Sequence, residues 1–297
     1  MNYRTKTIKR LVESFEELDD QAQDEVLDKI KYSGALKAAM DAAKTDTVTF
    51  GDLYAVATER QQWFDKFEGF GSGLKYFDDA IMGFRPGEVT IIAGPSNFGK
   101  TGVALNVVAT TIINSLKKAL IISMEMTKEE IASRVFNITD DHTHILENLV
   151  IQTDLRVNAN NIEHIIKREK PDLVMIDMLQ KLADSERGSE YERVSTAMSK
   201  VKAIALKTNT PIILISHVAK TRSGDKGQAT AADLKGASNI EQDADVGIMI
   251  NKLDKSSWDL VLTCFKHRTK RPEVFHKNCL IKMDGIRVAF EGAYDVI

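Results

Sequence analysis

Glu88–Val108 reads EVTIIAGPSNFGKTGVALNVV, and the fold follows from it. Val89–Ala93 is a run of apolar, largely β-branched residues of strand length, bounded by glycine. Next comes Gly94-Pro95-Ser96-Asn97-Phe98-Gly99-Lys100-Thr101, a complete G-x-x-x-x-G-K-T, and then an apolar helical pattern opening at Gly102. Glycine at 94 and 99 lets the backbone curl so that its N–H groups converge on phosphate oxygens. Lys100 supplies charge to the β- and γ-phosphates, and the Thr101 hydroxyl is suited to magnesium. A chance glycine-rich turn would lack the lysine, the hydroxyl and the strand–helix setting. The stretch Gly94–Gly102 is therefore expected to bind a nucleoside triphosphate, ATP with Mg2+.

Apolar runs of strand length recur at Glu88–Ala93, Ala119–Ser123, Leu149–Ile151, Leu173–Ile176, Pro211–Ser216, Val246–Ile250 and Leu260–Phe265. Helical patterns lie between several of them, at Thr101–Ser115, Thr127–Asn137, Asn160–Glu169 and Glu190–Thr208. Strands that are apolar throughout, alternating with helices, predict an α/β fold whose mostly parallel sheet is covered on both faces. Parallel sheets place their chemistry at the carboxyl ends of the strands.

Three of these runs end in a polar side chain. LVMID ends at Asp177, in the position of a second acidic element that holds magnesium from its outer sphere. ALIISME ends at Glu125, placed to orient and deprotonate an attacking water. The competing reading of Glu125 as a helix cap is weakened because Thr127 already serves the following helix. PIILISH ends at His217, which would hydrogen-bond a γ-phosphate and pass its state to the loop that follows. The remaining histidines show no metal-ligand spacing.

Composition bounds the rest. The chain has 297 residues, 43% hydrophobic and 28% charged, which suffices for a core and excludes a disordered protein. No run approaches the ~20 apolar residues of a membrane span, and the N-terminus has no apolar signal-peptide core. Two cysteines are too few for a disulfide framework and read as reduced thiols of a cytoplasmic protein. A net charge of −3 excludes a protein coated in positive charge, so any nucleic acid would meet local patches or a surface built by several subunits.

Residues 1–45 carry a helical stripe, Ile8, Leu11, Val12, Phe15 and Leu18, in a piece too small for a core of its own. Residues 46–68 add a second helical pattern, with Phe50, Leu53, Tyr54 and Ala57 following a capping Thr49. Glycines at 69, 71 and 73 mark the boundary with the large domain, 69–297.

The order of these motifs resembles that of the DnaB-like replicative helicases, ring-forming motors of RecA-like fold. GFGSGLKYFDDAIMGFRPGEVTIIAG is similar to the segment that opens their ATPase domain. ISMEMTKEEIASRV resembles the catalytic-glutamate motif, with Glu125 in place, and LVMIDMLQKL the second acidic motif, with Asp177 and Gln180 in matching positions. Ile240-Glu-Gln-Asp-Ala-Asp245 before a strand is close to a signature of this family, not usual in recombinases or circadian-clock ATPases. Phe265-Lys266-His267-Arg268 resembles the K-x-R element that reaches a neighbouring subunit's γ-phosphate. His217 departs from the glutamine usual in bacterial members and is more like the phage primase-helicases. The N-terminal region is shorter than the family's, which suggests a compact phage- or plasmid-type member working in a bacterial host cytoplasm.

The resemblance implies a homo-hexameric, ATP- and Mg2+-dependent DNA helicase that translocates 5′ to 3′ on single-stranded DNA. Lys266 and Arg268 would act across a subunit interface, and residues 46–68 would pack on an adjacent subunit. Primase and a helicase loader are the implied partners. DNA contacts are expected in two polar, glycine-containing loops after the active-site strands. Ala183–Glu190 contributes Arg187, and Lys220–Ala231 contributes Lys220, Arg222 and Lys226. Neither loop holds an aromatic residue for base stacking, so binding should track the backbone and ignore sequence. The same motifs also fit two other functions: a recombinase-like ATPase, and a loader or regulatory ATPase that does not unwind.

Overall fold

The computed structural model describes residues 70–294 apart from 75–77, 79–80, 141, 155–156, 219–228, 235–239, 241, 254–258, 269–277 and 285. The chain divides into two units, 1–67 and 68–297, and all described residues belong to the second. The helices expected over residues 1–45 and 46–68 lie outside the described residues, as do Lys220, Arg222 and Lys226.

In chain order the elements are β1 (Val89–Gly94), α1 (Lys100–Ser115), β2 (Ala119–Ser123), α2 (Lys128–Ile138), α3 (Thr143–Asn148) and β3 (Leu149–Gln152). Then follow α4 (Ile162–Glu169), β4 (Leu173–Asp177), α5 (Leu179–Ala183), α6 (Glu190–Thr208) and β5 (Ile212–His217). Four strands complete the fold: β6 (Val246–Lys252), β7 (Asp259–His267), β8 (Asn278–Asp284) and β9 (Arg287–Tyr294). Among the described residues these strands form one sheet in the order β3-β2-β4-β5-β1-β6-β7-β8-β9. The pairings from β3 to β6 are parallel, and those from β6 to β9 are antiparallel.

Alternation along each central strand feeds two cores. Ile92, Ile121, Met175, Ile213, Ile215 and Ile248 point to the face covered by α1, α2 and α3. Val89, Ile91, Leu120, Ile122, Val174, Ile176 and Leu214 point to the face covered by α4, α5 and α6. Both sets are buried, which is why the strands read as unbroken apolar runs. Truncating one such side chain to alanine costs about 2–5 kcal/mol.

Local chemistry fixes where helices start and stop. Thr127 and Ser189 each form a reciprocal capping box, with Glu130 and Glu192, at the starts of α2 and α6. Lys170 and Asn209 close α4 and α6 in the left-handed conformation. Ahead of the sheet, Phe70 bridges to Phe84, and the buried Asp78 carboxylate accepts from the Ser72 N–H at 2.6 Å. Gly73, at φ 85°, lies where a Cβ would fall 2.7 Å from the Thr110 methyl. His267 Nε2 meets the Ile81 carbonyl at 2.8 Å, which ties this opening segment to the end of β7.

Candidate active site

The sheet register assembles the site. β2, β4, β5 and β1 are successive neighbours, and their carboxyl ends come level. Ser123 on β2 pairs with Asp177 on β4, and His217 on β5 pairs with Gly94 on β1. The Met124 N–H donates to the Asp177 carbonyl at 2.8 Å, which carries β2 one residue further before Glu125. Four strand ends read separately from the sequence thus converge on one edge.

At that edge the chain turns through the loop 95–99 into α1. Gly94 lies against β6 so closely that a Cβ would sit 2.7 Å from the Ile250 carbonyl oxygen. Gly99, at φ 75°, occupies the N-cap position of α1, makes no side-chain cap and is followed by no acidic residue in the first turn. A helix start left in this way presents unsatisfied N–H groups and a positive dipole end to an anion. Lys100 and Thr101 open the helix at the same point.

Lys100 is buried, and its ammonium donates to the Pro95 carbonyl at 2.8 Å, across the loop. Burial pushes its pKa down to about 8, opposed by the negative charges of Asp177 and Glu125. Asp177 is also buried, and its Oδ2 accepts from the Thr101 hydroxyl at 2.9 Å. Burial pushes the Asp177 carboxyl up to about 6. The Thr101 bond opposes this, Glu125 reinforces it, and the charges of Lys100 and Arg134 work against it. Asp177 Oδ1 is buried and accepts no hydrogen bond among the described residues.

An orphaned carboxylate oxygen beside a threonine hydroxyl is a fitting donor set for a hard cation such as Mg2+. Among the described residues no cluster of three or more His, Cys, Asp or Glu could hold a metal by itself.

Glu125 is exposed at the end of β2, and Thr127, not Glu125, caps α2. Its side chain is therefore not consumed by the helix start. His217 is linked to the Asp177 strand through Gln180 on α5. The His217 N–H donates to Gln180 Oε1 at 3.1 Å, and Gln180 Nε2 donates to Ser216 Oγ at 3.0 Å and to the His217 carbonyl at 3.3 Å. One amide thereby fixes the end of β5 relative to the helix that follows Asp177.

Lys266 and Arg268 lie elsewhere. Lys266 Nζ and Arg268 Nη2 both donate to the Gln242 carbonyl at 3.0 Å. Arg268 Nη1 pairs with Asp245 Oδ1 at 3.0 Å. Asp245 in turn accepts from the N–H of Val89, the first residue of β1. Val89 and Gly94 are opposite ends of a six-residue strand, about 17 Å apart at the usual strand rise. The structure therefore holds these two cations at the far edge of the sheet from their own chain's phosphate loop. Arg187 is exposed between α5 and α6, in a turn that ends at the Ser189 cap.

Several contacts around these groups escaped the sequence. Arg134 acts on Asp177 from α2, Lys202 binds Asp245 from α6, and Lys252 lies 5.6 Å above the Phe98 ring. Asn251, buried at the end of β6, exchanges two hydrogen bonds with the Ala229 backbone, at 2.7 and 3.0 Å. Each is a single polar residue in an ordinary helix or strand pattern, so no local signal marks it.

Comparison with known proteins places this geometry. A probable plasmid replicative DNA helicase of Chlamydia trachomatis is 25% identical over 233 residues, covering 68% of this chain and 51% of the relative. The replicative DNA helicase DnaB of Mycoplasma genitalium is 25% identical over 268 residues, 75% of this chain and 57% of that protein. The chain thus spans about half the length of these relatives. Among solved structures, an isolated ATPase domain superposes with TM-score 0.69 at 19% identity, over 84% of this chain and 100% of that one. A DnaB-like replicative helicase studied for its interactions with primase gives 0.66 at 18% identity, over 96% and 77%. Both likenesses establish the RecA-like ATPase fold. Among the described residues no helix is long and apolar enough to cross a membrane. Residues 55–223, more than half of the chain, match the AAA domain family: the chain belongs to that family and is similar to the DnaB-like replicative helicases.

Proposed function

We propose that the protein is a ring-forming, ATP- and Mg2+-dependent replicative DNA helicase that moves along single-stranded DNA. The observation that carries this reading is the division of its chemistry between two edges of one sheet. Lys100, Thr101, Asp177, Glu125 and His217 gather at one edge, and Arg268 and Lys266 are held at the other. A nucleotide bound by one subunit meets Arg268 only if a neighbour supplies it.

In this reading Gly94–Gly102 cradle the triphosphate, and Lys100 regains its full charge against the β- and γ-phosphates. Thr101 and Asp177 hold the magnesium, which supplies charge neutralisation to the phosphates when bound. Glu125 accepts a proton from the attacking water as its oxygen bonds to the γ-phosphorus, and the bond to the bridging oxygen breaks to leave ADP. Arg268 of a neighbouring subunit stabilises the transferring phosphoryl, an effect worth about 10³–10⁵ in rate in known systems. His217 contacts the γ-phosphate, and Gln180 relays its position to the segment after β5.

The loops 183–190 and 220–231 follow those strands and bring Arg187, Lys220, Arg222 and Lys226 to a single strand in the ring's channel. Residues 1–45 serve assembly, and 46–68 act as a linker helix on an adjacent subunit. The DnaB-like relative studied for its interactions with primase supports primase as a partner, and a loader is the second partner of this reading. ATP hydrolysis measured with and without single-stranded DNA tests the reading. Stimulation by DNA of any sequence is expected, with nucleotide-dependent assembly to a hexamer. Hydrolysis indifferent to DNA would instead favour a loader or regulatory ATPase.

A further inference from the structure

The run Ile240–Asp245 marks the family in the sequence, yet the reaction above gives it no task. The structure assigns one to its last residue. Asp245 is buried, and both carboxylate oxygens are used. Oδ2 accepts from the Val89 N–H at 2.8 Å and from Lys202 Nζ on α6 at 2.6 Å. Oδ1 takes Arg268 Nη1 at 3.0 Å. Main-chain bonds close the same joint, because the Asp245 N–H donates to the Val89 carbonyl at 2.9 Å and the Arg268 N–H donates to the Asp245 carbonyl at 2.8 Å. Lys202 is anchored independently on the Gly87 carbonyl at 3.0 Å.

We propose that Asp245 is the positioning residue for Arg268, setting the guanidinium on the rigid root of β1 so that it is aimed out of the subunit toward a neighbour's γ-phosphate. The argument is one of charge and stiffness. A buried carboxylate facing a single cation would be held mainly by that cation. Here Lys202 and the Val89 N–H fix the carboxylate first, and Arg268 then binds a group that cannot follow it. The arginine is still 48% exposed, so it is oriented on one edge and open to solvent on the other. The Gln242 carbonyl takes Nη2 and fixes the plane of the fork. Beside it, a β-bulge at Gly247/Ile248 seats the Phe265 ring against Gly247, where a Cβ would collide with the ring. That bulge lets His267 turn inward while Lys266 and Arg268 face out. The same carboxylate grips the first residue of the strand leading to the phosphate loop. A subunit's finger is thereby tied mechanically to its own nucleotide site.

This inference rests on the reading of Arg268 as a residue that acts in trans, so its test separates the two. Asp245→Asn, Arg268→Ala and Lys100→Ala are assembled alone and in pairwise mixtures, and ATP turnover is measured in each. Asp245→Asn alone should lose about 10²-fold in kcat, the usual cost of misplacing a catalytic group by about 1 Å, with KM for ATP nearly unchanged. Lys100→Ala subunits lack a working phosphate loop but retain an intact finger. Mixed with Arg268→Ala they should restore turnover, and mixed with Asp245→Asn they should restore it to a similar extent. The double variant Asp245→Asn/Arg268→Ala should be no slower than Arg268→Ala alone.

Rescue of Arg268→Ala but not of Asp245→Asn would overturn the proposal, because the aspartate would then serve its own subunit's nucleotide site. Rescue of neither would overturn the trans reading itself. A raised KM with kcat intact would also overturn the positioning role. If Asp245→Asn shows no cooperative melting transition, Asp245→Ser removes the charge with a smaller side chain and goes through the same mixtures.

Discussion

The Thr101 hydroxyl donates to Asp177 Oδ2 at 2.9 Å, while the other oxygen of the same buried carboxylate is left without a hydrogen bond among the described residues. Beside it lies the Lys100 ammonium, likewise buried and turned onto the Pro95 carbonyl. Both charged forms are disfavoured by desolvation, so the site carries a cost that a magnesium–triphosphate complex would relieve.

Asp177→Asn should therefore raise the melting temperature of the nucleotide-free protein. The sign follows from a folded pKa of about 6 against an ordinary 3.8. The penalty is absent below the unfolded value, accumulates as pH rises between the two, and is complete above the folded one. Melting curves from pH 4 to pH 7.5 should show the gap between Asp177→Asn and the parent widen with pH, reaching roughly 1 kcal/mol or more, or about 2–4 °C for a domain of this size. A gap that does not vary with pH would contradict the burial of a charged carboxylate.

Glu125→Gln would remove the proposed proton acceptor while keeping the shape of the side chain. Turnover should fall about 10²–10⁴-fold, with nucleotide affinity unchanged, because Thr127 and not Glu125 caps α2. Equilibrium binding of a fluorescent ATP analogue alongside turnover checks both halves. Weakened binding with normal turnover would remove Glu125 from the chemistry.

Gln180→Ala cuts the amide bridge between α5 and the end of β5. Each lost hydrogen bond is worth about 1 kcal/mol, so DNA-stimulated hydrolysis should drop about tenfold while ATP binding persists. Equal losses with and without DNA would mean that Gln180 only shapes the pocket.

Arg268→Ala should leave ATP binding intact and lower turnover by about 10³-fold or more. Arg268→Lys should not restore it, since an ammonium cannot bind Asp245, the Gln242 carbonyl and a phosphate in one plane. Unchanged turnover in Arg268→Ala would withdraw the finger assignment.

Much of this was legible in the sequence because it is local. The seven predicted strands and the four predicted helices rest on period, glycine and caps, and each appears in the structure at nearly the expected bounds. What escaped is either short or non-local. The helices Thr143–Asn148 and Leu179–Ala183 are one or two turns long, below the length at which a period can be read. The hairpin β8–β9 carries a register shift at Leu280/Ile281, and β9 is interrupted by Glu291 and Gly292, which mask the alternation. Asp177, Glu125 and His217 could be listed as strand-end residues, but only the register of β2, β4, β5 and β1 brings them together. Lys202 and Asp245 lie 43 residues apart, and no spacing rule joins them. The run Ile240–Asp245 stood out as a pattern, and its chemistry waited on the fold.

Unwinding of a forked duplex decides whether the protein is a helicase. With ATP and Mg2+, the assembled protein should separate a fork whose 5′ single-stranded tail is free, and Lys100→Ala should abolish separation. ATP hydrolysis stimulated by single-stranded DNA with no strand separation on any fork would contradict the helicase reading and point to a recombinase-like ATPase.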